Sequence, residues 1–261
     1  MPSISLTALL HIARAGLLSQ QTGIDATANN IANINTTGYK FNRTEFHELL
    51  NEQLQAPPAD SNRTSGQAAG TLLTATQTIF TQGQIQSSEQ PWDMAIEGDG
   101  FFPVQRPDGS IAYTRDGSFR LDGEGHLTTA RGYLLSPTIT IPPDALESVV
   151  TSDGRVMVRR TGQTEPQTIA TISLARFANS SGLEKTADNL YQATDASGQA
   201  QVGQPGQTGL GQIIGHALEG SNVDLSQQMV ELINGQRAYT LMVRAMETSN
   251  EMLGLVNQMR L

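Results

Sequence analysis

Hydrophobic and polar positions follow a helical rhythm at both ends of the chain and a different rhythm between them. Near each terminus, apolar and small side chains recur at alternating spacings of three and four residues. This spacing is typical of the narrow stripe along which one helix packs lengthwise on another. The two stripes consist of Leu10, Ala13, Leu17, Gln20, Ile24, Thr27, Ile31 and Ile34, and of Leu225, Met229, Leu232, Gln236, Tyr239, Val243, Met246, Asn250 and Leu253.

The first stripe predicts a helix over residues 7–35. Gly38 follows it and suits the left-handed conformation found after many helices. At the other end, Ser221 or Asn222 is positioned to cap a final helix that begins near residue 225.

Neither stripe carries enough apolar area to hold its helix in isolation. About six sizeable apolar side chains per stripe contribute roughly 1.5–3 kcal/mol each, whereas ordering the backbone costs about 1–2 kcal/mol per residue. We therefore expect residues 1–40 and 225–261 to be largely disordered in the free monomer and to fold on assembly.

An asparagine-rich run, residues 28–33, closes the first stripe. Asparagine competes for backbone hydrogen bonds and is a middling helix former. One interpretation is a frayed helix end. The other is that Asn29, Asn30 and Asn33 form hydrogen bonds between helices and set their register, as polar groups do in coiled coils.

From Gln90 onwards the hydrophobic period changes to two. Asp-Gly pairs at 108–109, 116–117 and 122–123 are flanked by alternating apolar residues, and this pattern predicts a meander of hairpins. Further strands are expected at residues 138–141, 156–158 and 168–174.

The predicted fold class is therefore α+β. Paired, coiled-coil-like N- and C-terminal helices would form an axial core and flank a central, mostly antiparallel β domain. Residues 1–44 with 215–261 would make up the helical axial core domain, residues 45–75 an extended polar loop, and residues 76–214 a β-rich outer domain.

Composition removes several classes of function. A net charge of −9 over 261 residues argues against nucleic acid as the main partner. The absence of cysteine excludes disulfides and thiolate zinc sites. The sequence contains no run of 18 apolar residues, so no membrane-spanning helix is predicted. The N-terminus lacks the pattern of a cleaved signal peptide. The protein is therefore expected in the cytoplasm, or to be exported by a route that needs no such signal.

Motifs for catalysis, cofactors or metals are missing. The His47-Glu48 pair starts a zinc-binding helix motif, but Asn51 stands where its second histidine belongs. The Asp-Gly segments do not supply the oxygen ligands of a calcium loop. We predict no catalytic residue, no cofactor and no metal. A secreted β-rich surface protein or carbohydrate-active enzyme stays open as an alternative, although an aromatic content of 5% disfavours sugar binding.

Several of these segments resemble bacterial flagellar rod and hook proteins. The resemblance runs over nearly the whole chain, including features similar to the distal rod subunit. Proximal rod subunits and hook-type axial proteins remain alternatives. The segments that carry it are Gly16-Leu17, residues 28–33, Thr37-Gly38-Tyr39-Lys40, residues 96–102, residues 113–119, residues 182–184, residues 189–191, residues 219–224 and residues 236–239, together with the 51–70 stretch.

The resemblance implies a structural subunit of the basal body without enzymatic activity. It would leave the cytoplasm through the flagellar type III export apparatus and self-assemble into a helical tube in the periplasm, transmitting motor torque to the hook. Its partners would be further copies, other rod subunits, the hook protein and ring bushing proteins, with no nucleic acid and no membrane insertion. The expected assembly interface comprises Leu10, Ala13, Leu17, Ile24, Asn29, Asn30, Ile31, Asn33, Ile34, Leu225, Met229, Leu232, Gln236, Tyr239, Val243, Met246 and Leu253.

Overall fold

The computed structural model describes residues 6–48, 71–161, 165–207 and 209–258. These residues form two compact units. The first, here the helix unit, contains residues 6–32, 42–48, 71–77 and 224–258. The second, here the β unit, contains residues 33–41 and the described part of 78–223.

The helix unit contains two long helices and one small sheet. Helix α1 spans Leu6–Ala32 and helix α2 spans Leu225–Gln258. Strands β1 (Phe41–Glu48) and β2 (Thr71–Ile79) pair as a two-stranded sheet. Both ends of the predicted polar loop, residues 45–75, therefore lie in strands, and the 51–70 stretch falls outside the described residues.

The ends of the helices differ from the prediction in two places. Helix α1 stops at Ala32, and turns follow it as far as Gly38, whose φ of +63° is the left-handed conformation expected of it. Helix α2 is capped by Asp224, because its Oδ1 accepts hydrogen bonds from the backbone N–H groups of Ser226 (2.8 Å) and Gln227 (3.2 Å). The prediction that Ser221 or Asn222 caps this helix was wrong, because Asp224 is the residue directly before Leu225 and makes the capping bonds.

The β unit is built on a seven-stranded sheet. Its strand order is β14-β15-β6-β5-β9-β8-β7, and every pairing in it is antiparallel. The strands are β5 (Phe102–Gln105), β6 (Ile111–Thr114), β7 (Phe119–Leu121), β8 (Leu127–Thr129), β9 (Leu134–Leu135), β14 (Glu184–Lys185) and β15 (Leu190–Gln192).

Smaller antiparallel sheets complete the β unit. Three strands pair in the order β10-β11-β12, and three further pairs join β13 with β16, β17 with β4, and β18 with β3. Their bounds are β3 (Ile85–Ser87), β4 (Met94–Glu97), β10 (Ala145–Val150), β11 (Arg155–Arg160), β12 (Gln167–Thr171), β13 (Leu174–Arg176), β16 (Gln201–Gly203), β17 (Gln212–Gly215) and β18 (Ala217–Glu219).

The α+β class and the antiparallel sheets agree with the prediction, whereas some strands do not. Residues 138–141 form no strand and contribute only a bridge from Thr140 to His126. The predicted strand 168–174 is two strands, β12 and β13. The Asp-Gly pairs at 108–109 and 122–123 lie in hairpin turns, but the pair at 116–117 joins β6 and β7, which lie apart in the sheet.

A dense apolar core fills the β unit. Its largest cluster brings together residues from most of the sheets, and many of them are fully buried. A second cluster consists largely of aromatic rings in edge-to-face contact, as aromatic pairs prefer. The first cluster includes Met94, Ile96, Phe102, Val104, Leu127, Leu135, Ile139, Val156, Val158, Ile172, Leu174 and Ile213.

Candidate functional site

The two helices pack against each other with opposite directions. The Gln20 side chain donates a hydrogen bond from Nε2 to the backbone oxygen of Gly235 (3.4 Å). Further along α1, Asn30 Nδ2 donates to Gln228 Oε1 (3.1 Å). Residues that come later in α1 thus meet residues that come earlier in α2, so the pair is antiparallel.

Gly235 allows a close approach between the helices. A Cβ atom placed there would lie 3.0 Å from Ile24 Cγ1 and 3.3 Å from Gln20 Nε2, both tighter than ordinary contacts. Any side chain at this position would push against α1. The glycine therefore sets the spacing of the pair, although it lowers the intrinsic stability of the helix by about 1 kcal/mol relative to alanine.

Asn30 is the polar centre of the helix unit. Its side chain is 1% exposed. It donates from Nδ2 to the backbone oxygen of Asn42 (2.9 Å), and its Oδ1 accepts from the backbone N–H of Asn42 (3.0 Å). Together with the bond to Gln228, these contacts tie α1 to both β1 and α2. The interpretation of this segment as a frayed helix end does not hold for Asn30, because its side chain is buried and bonded to both β1 and α2.

The other members of the predicted interface are only partly covered or are exposed. Asn29 is exposed, and Asn33 is half-buried in the turn after α1. The side chains of Leu10 and Leu253 lie outside the described set. Half-buried positions are Ala13, Leu17, Ile24, Ile31, Ile34, Leu232, Val243 and Met246, and exposed positions are Leu225, Met229, Gln236 and Tyr239. Contacts of these residues with another chain remain a prediction.

The contacts between α2 and α1 include residues that lie outside the predicted stripe. They include Gln228, Gly235 and Met242, whose sulfur lies 3.8 Å from where a Cβ on Gly16 would be. These positions recur every seven residues, but two of them are polar or lack a side chain, so an apolar pattern misses them. The glycines at 16 and 235 were the signal of close packing available in the sequence.

Within the described side chains of α1 and α2, no large apolar residue is fully buried. Only Asn30, Gln228 and Gly235 fall in the buried class. Long apolar side chains of α2 are strongly exposed, among them Val230, Leu241, Met252 and Leu255. A surface of this kind marks a site for interaction with other protein.

The β unit contains a buried cluster of three charges. The Lys40 ammonium lies 2.6 Å from Oε1 of Glu219, and the Arg115 Nε lies 3.2 Å from Oε2 of the same carboxylate. All three side chains are almost completely buried. We refer to Lys40, Arg115 and Glu219 as the charge cluster.

Backbone groups supply the remaining contacts of the charge cluster. Lys40 donates to the backbone oxygen of Thr81 (2.8 Å), and Glu219 accepts from the backbone N–H of Gly83 (2.8 Å). Arg115 donates to the backbone oxygen of Gly100 (2.7 Å). Four segments that are distant in sequence thus meet at one carboxylate. Three of them lie in segments on which the resemblance to flagellar proteins rests.

The Glu219 carboxylate favours the charged forms of Lys40 and Arg115. Burial lowers the pKa of Lys40 below its usual 10.5, and the Glu219 carboxylate acts against that shift. Burial also lowers the pKa of Arg115, again opposed by Glu219. Two cations thus share one buried anion, and each would be costly without it. The sequence prediction named Lys40, Arg115 and Glu219 only as parts of three separate motifs and gave none of them a role.

Asp122 and Glu147, two acidic residues at a cleft of the β unit, are occupied by structural contacts. This cleft has a volume of about 690 Å³ and is lined in part by Trp92, Asp122 and Glu147. Asp122 accepts hydrogen bonds from the backbone of its own turn, and Glu147 pairs with Arg159 at 2.7 Å. Across the described ranges, no group of three or more histidine or acidic side chains is placed to hold a metal ion. Within those same ranges, neither helix is long and apolar enough to cross a bilayer.

Family models match three segments of the chain. Residues 95–158 match the flagellar hook protein FlgE/F/G D1 domain. Residues 10–40 match the flagella basal body rod protein family, and residues 215–259 match the C-terminal region of the flagellar basal body rod FlgEFG proteins. The matched segments include α1, much of the β unit and α2.

Full-length relatives agree with these matches. The flagellar basal-body rod protein FlgG of Borreliella burgdorferi is 40% identical over 259 residues, covering 96% of this chain and 98% of the relative. The FlgG proteins of Caulobacter vibrioides and Bacillus subtilis are 38% and 37% identical with the same coverage. The family resemblance is thereby confirmed, and the chain belongs to the flagellar basal-body rod and hook protein family as a structural subunit of the rod.

Proposed function

We propose that this chain is a subunit of the distal rod that self-assembles into a helical tube and carries motor torque to the hook. The helix pair would form the inner, coiled-coil-like layer of the tube, and the β unit would form the outer layer. The predicted axial and outer domains correspond to these layers.

One observation above all supports this function. The helix unit leaves large apolar side chains of α2 exposed and has none that is fully buried among its described side chains, whereas the β unit buries most of its large apolar residues. A helix pair with so little enclosed apolar area needs further helices around it, since packing supplies most helical stability. Self-assembly with other axial components is also what membership of the rod and hook family suggests.

The partners follow from the position of a distal rod. We propose contacts with further copies, other rod subunits, the hook protein and the ring bushing proteins, after export through the flagellar type III apparatus into the periplasm. A proximal rod subunit or a hook-type protein is the alternative. The hook protein FlgE of Helicobacter pylori is 40% identical over 128 residues, but these make up only 18% of that relative.

The test is electron microscopy of basal bodies from cells that lack this chain. We expect truncated rods without hooks, and complete structures when the gene is restored. A tagged copy should then be located between the proximal rod and the hook. Complete rods and hooks in its absence would contradict the proposal, and a tag in the hook or at the base of the rod would assign the chain to the alternative.

A further inference from the structure

Helix α2 carries a second stripe on the side that faces away from α1. It consists of Val230, Ile233, Arg237, Leu241 and Arg244, all of them exposed, and we call it the outer stripe of α2. Its spacing of three and four residues is that of a packing seam. A groove of about 510 Å³ runs along the stripe between Ile233 and Arg244. Two arginines and three apolar side chains give it a cationic, apolar character.

Helix α1 carries a matching stripe on its exposed side. Arg14, Leu18, Gln21, Asp25 and Ala28 are all exposed, and we call them the outer stripe of α1. Leu18 is 55% exposed, which is high for a leucine in a helix with so few apolar residues on this side. The spacing again alternates between four and three residues. Helix α1 therefore has one stripe toward α2 and a second one toward solvent.

The charges of the two outer stripes are complementary. Asp25 is the only acidic residue in the outer stripe of α1, and the outer stripe of α2 contains two arginines and no acid. Across the described residues, neither Asp25, Arg237 nor Arg244 belongs to an ion pair. The outer stripe of α1 thus offers a carboxylate, which the outer stripe of α2 lacks, and either arginine of the α2 stripe can pair with it.

An antiparallel arrangement matches a second pair of charges. If Asp25 of one helix lies opposite Arg237 of another, Arg14 lies about three helical turns away on α1. Glu247 lies about three turns from Arg237 on α2, at the same level. In a parallel arrangement Arg14 would instead lie near the start of α2, away from Glu247. Antiparallel is also how α1 and α2 pack within one chain.

We propose that the outer stripe of α2 binds the outer stripe of α1 of a second copy of this chain, antiparallel, with Asp25 opposite Arg237. This inference rests on the proposed self-assembly and specifies its contact. Each helix pair would then be joined to its neighbours through both helices. Because the contact uses two different surfaces, it can be repeated from copy to copy, and it generates an open helical assembly where the rotation between copies does not close a ring.

Cross-linking is well suited to the test because the natural chain contains no cysteine. The double variant Gln21→Cys with Leu241→Cys places one thiol on each outer stripe. In basal bodies from cells with this variant as the sole copy, oxidation should give a ladder of disulfide-linked copies. The control, Gln21→Cys with Tyr239→Cys, has its second thiol at an exposed position of α2 that does not line the groove, and it should give no ladder. Equal ladders from both variants would overturn the proposed contact.

Charge reversal tests the specific pair. In the cross-linking background, Asp25→Arg or Arg237→Asp alone should reduce the ladder at least about tenfold, because like charges then face each other. The two changes combined should restore it. Unchanged thermal unfolding of the β unit in all variants would show that folding is intact. Ladders that are insensitive to both reversals, or products that join this chain to a different protein, would overturn the inference.

The outcomes also separate this inference from the proposed function. If Asp25→Arg leaves rods and ladders normal, the chain still assembles, and only the assigned contact is wrong. If the natural chain is absent from rods altogether, the proposed function fails first.

Discussion

The helix unit and the β unit differ in what they bury, and therefore in how each is stabilised. The β unit encloses most of its large apolar residues and also a cluster of three charges. In the helix unit, the described residues that are fully buried are an asparagine, a glutamine and a glycine. The difference shows that one chain can combine a part that is complete by itself with a part whose core is completed by other molecules.

The largest effect that we expect comes from removing the central carboxylate of the β unit. Glu219→Ala leaves Lys40 and Arg115 buried without their anion, which should lower the free energy of unfolding by about 3–5 kcal/mol. Urea unfolding followed by the fluorescence of Trp92, the only tryptophan, measures it. Glu124→Ala, in an exposed turn, is the control. A loss no larger than that of the control would show that the β unit does not depend on the cluster.

The same substitution in the two units compares them directly. Leu135 is fully buried, so Leu135→Ala should lower the free energy of unfolding of the β unit by about 2–5 kcal/mol. Leu241 is 65% exposed, so Leu241→Ala should change the stability of the monomer by no more than about 0.5 kcal/mol. We expect the second variant to impair motility nevertheless. A large loss of monomer stability from Leu241→Ala would contradict the contrast between the units.

A pair of glycines in α2 tests how closely the helices pack. At Gly254 an added Cβ meets nothing within 4 Å, so Gly254→Ala should stabilise the helix by about 1 kcal/mol. At Gly235 the same change pushes against Ile24, so the gain should be lost. Amide hydrogen exchange of α2 within isolated rods, where both helices are expected to be folded, compares the two variants. Equal gains would mean that the two helices are not in close contact at Gly235.

The smallest effect concerns alkaline pH. Burial raises the pKa of Tyr191 well above its usual 10.0. Above about pH 10 the unfolded chain releases this proton while the folded β unit keeps it, so stability falls as pH rises. Tyr191→Phe should reduce the loss of stability between pH 9 and pH 11, which is about one unit either side of the usual tyrosine pKa. Tyr239→Phe, on the exposed surface of α2, should leave this loss unchanged. An identical loss in all three proteins would exclude a role for Tyr191.

The periodic parts of the fold could be predicted from the sequence, and the contacts between distant segments could not. The spacing of apolar residues is enough to predict two terminal helices and short antiparallel strands. The cap at Asp224 was missed because several candidate residues stand in a row before α2. Residues 138–141 alternate in polarity but form only a single bridge, because an alternating segment also needs a neighbouring strand with which to form a ladder of hydrogen bonds.

The site was harder to predict than the fold for a physical reason. The stripe of α2 that faces α1 includes Gln228 and Gly235, which carry no hydrophobic signal. The charge cluster joins Lys40, Arg115 and Glu219 across most of the chain, and no local spacing connects them. Such contacts depend on the tertiary arrangement, so only the motifs around them were visible beforehand.

Amide hydrogen exchange of the full chain, as a dilute monomer and within isolated rods, tests the central claim most directly. The claim is that the β unit is complete alone and that the helix unit is completed by assembly. We expect strong protection of the β strands in both samples, and protection of α1 and α2 only in rods. Strong protection of both helices in the dilute monomer would contradict the account.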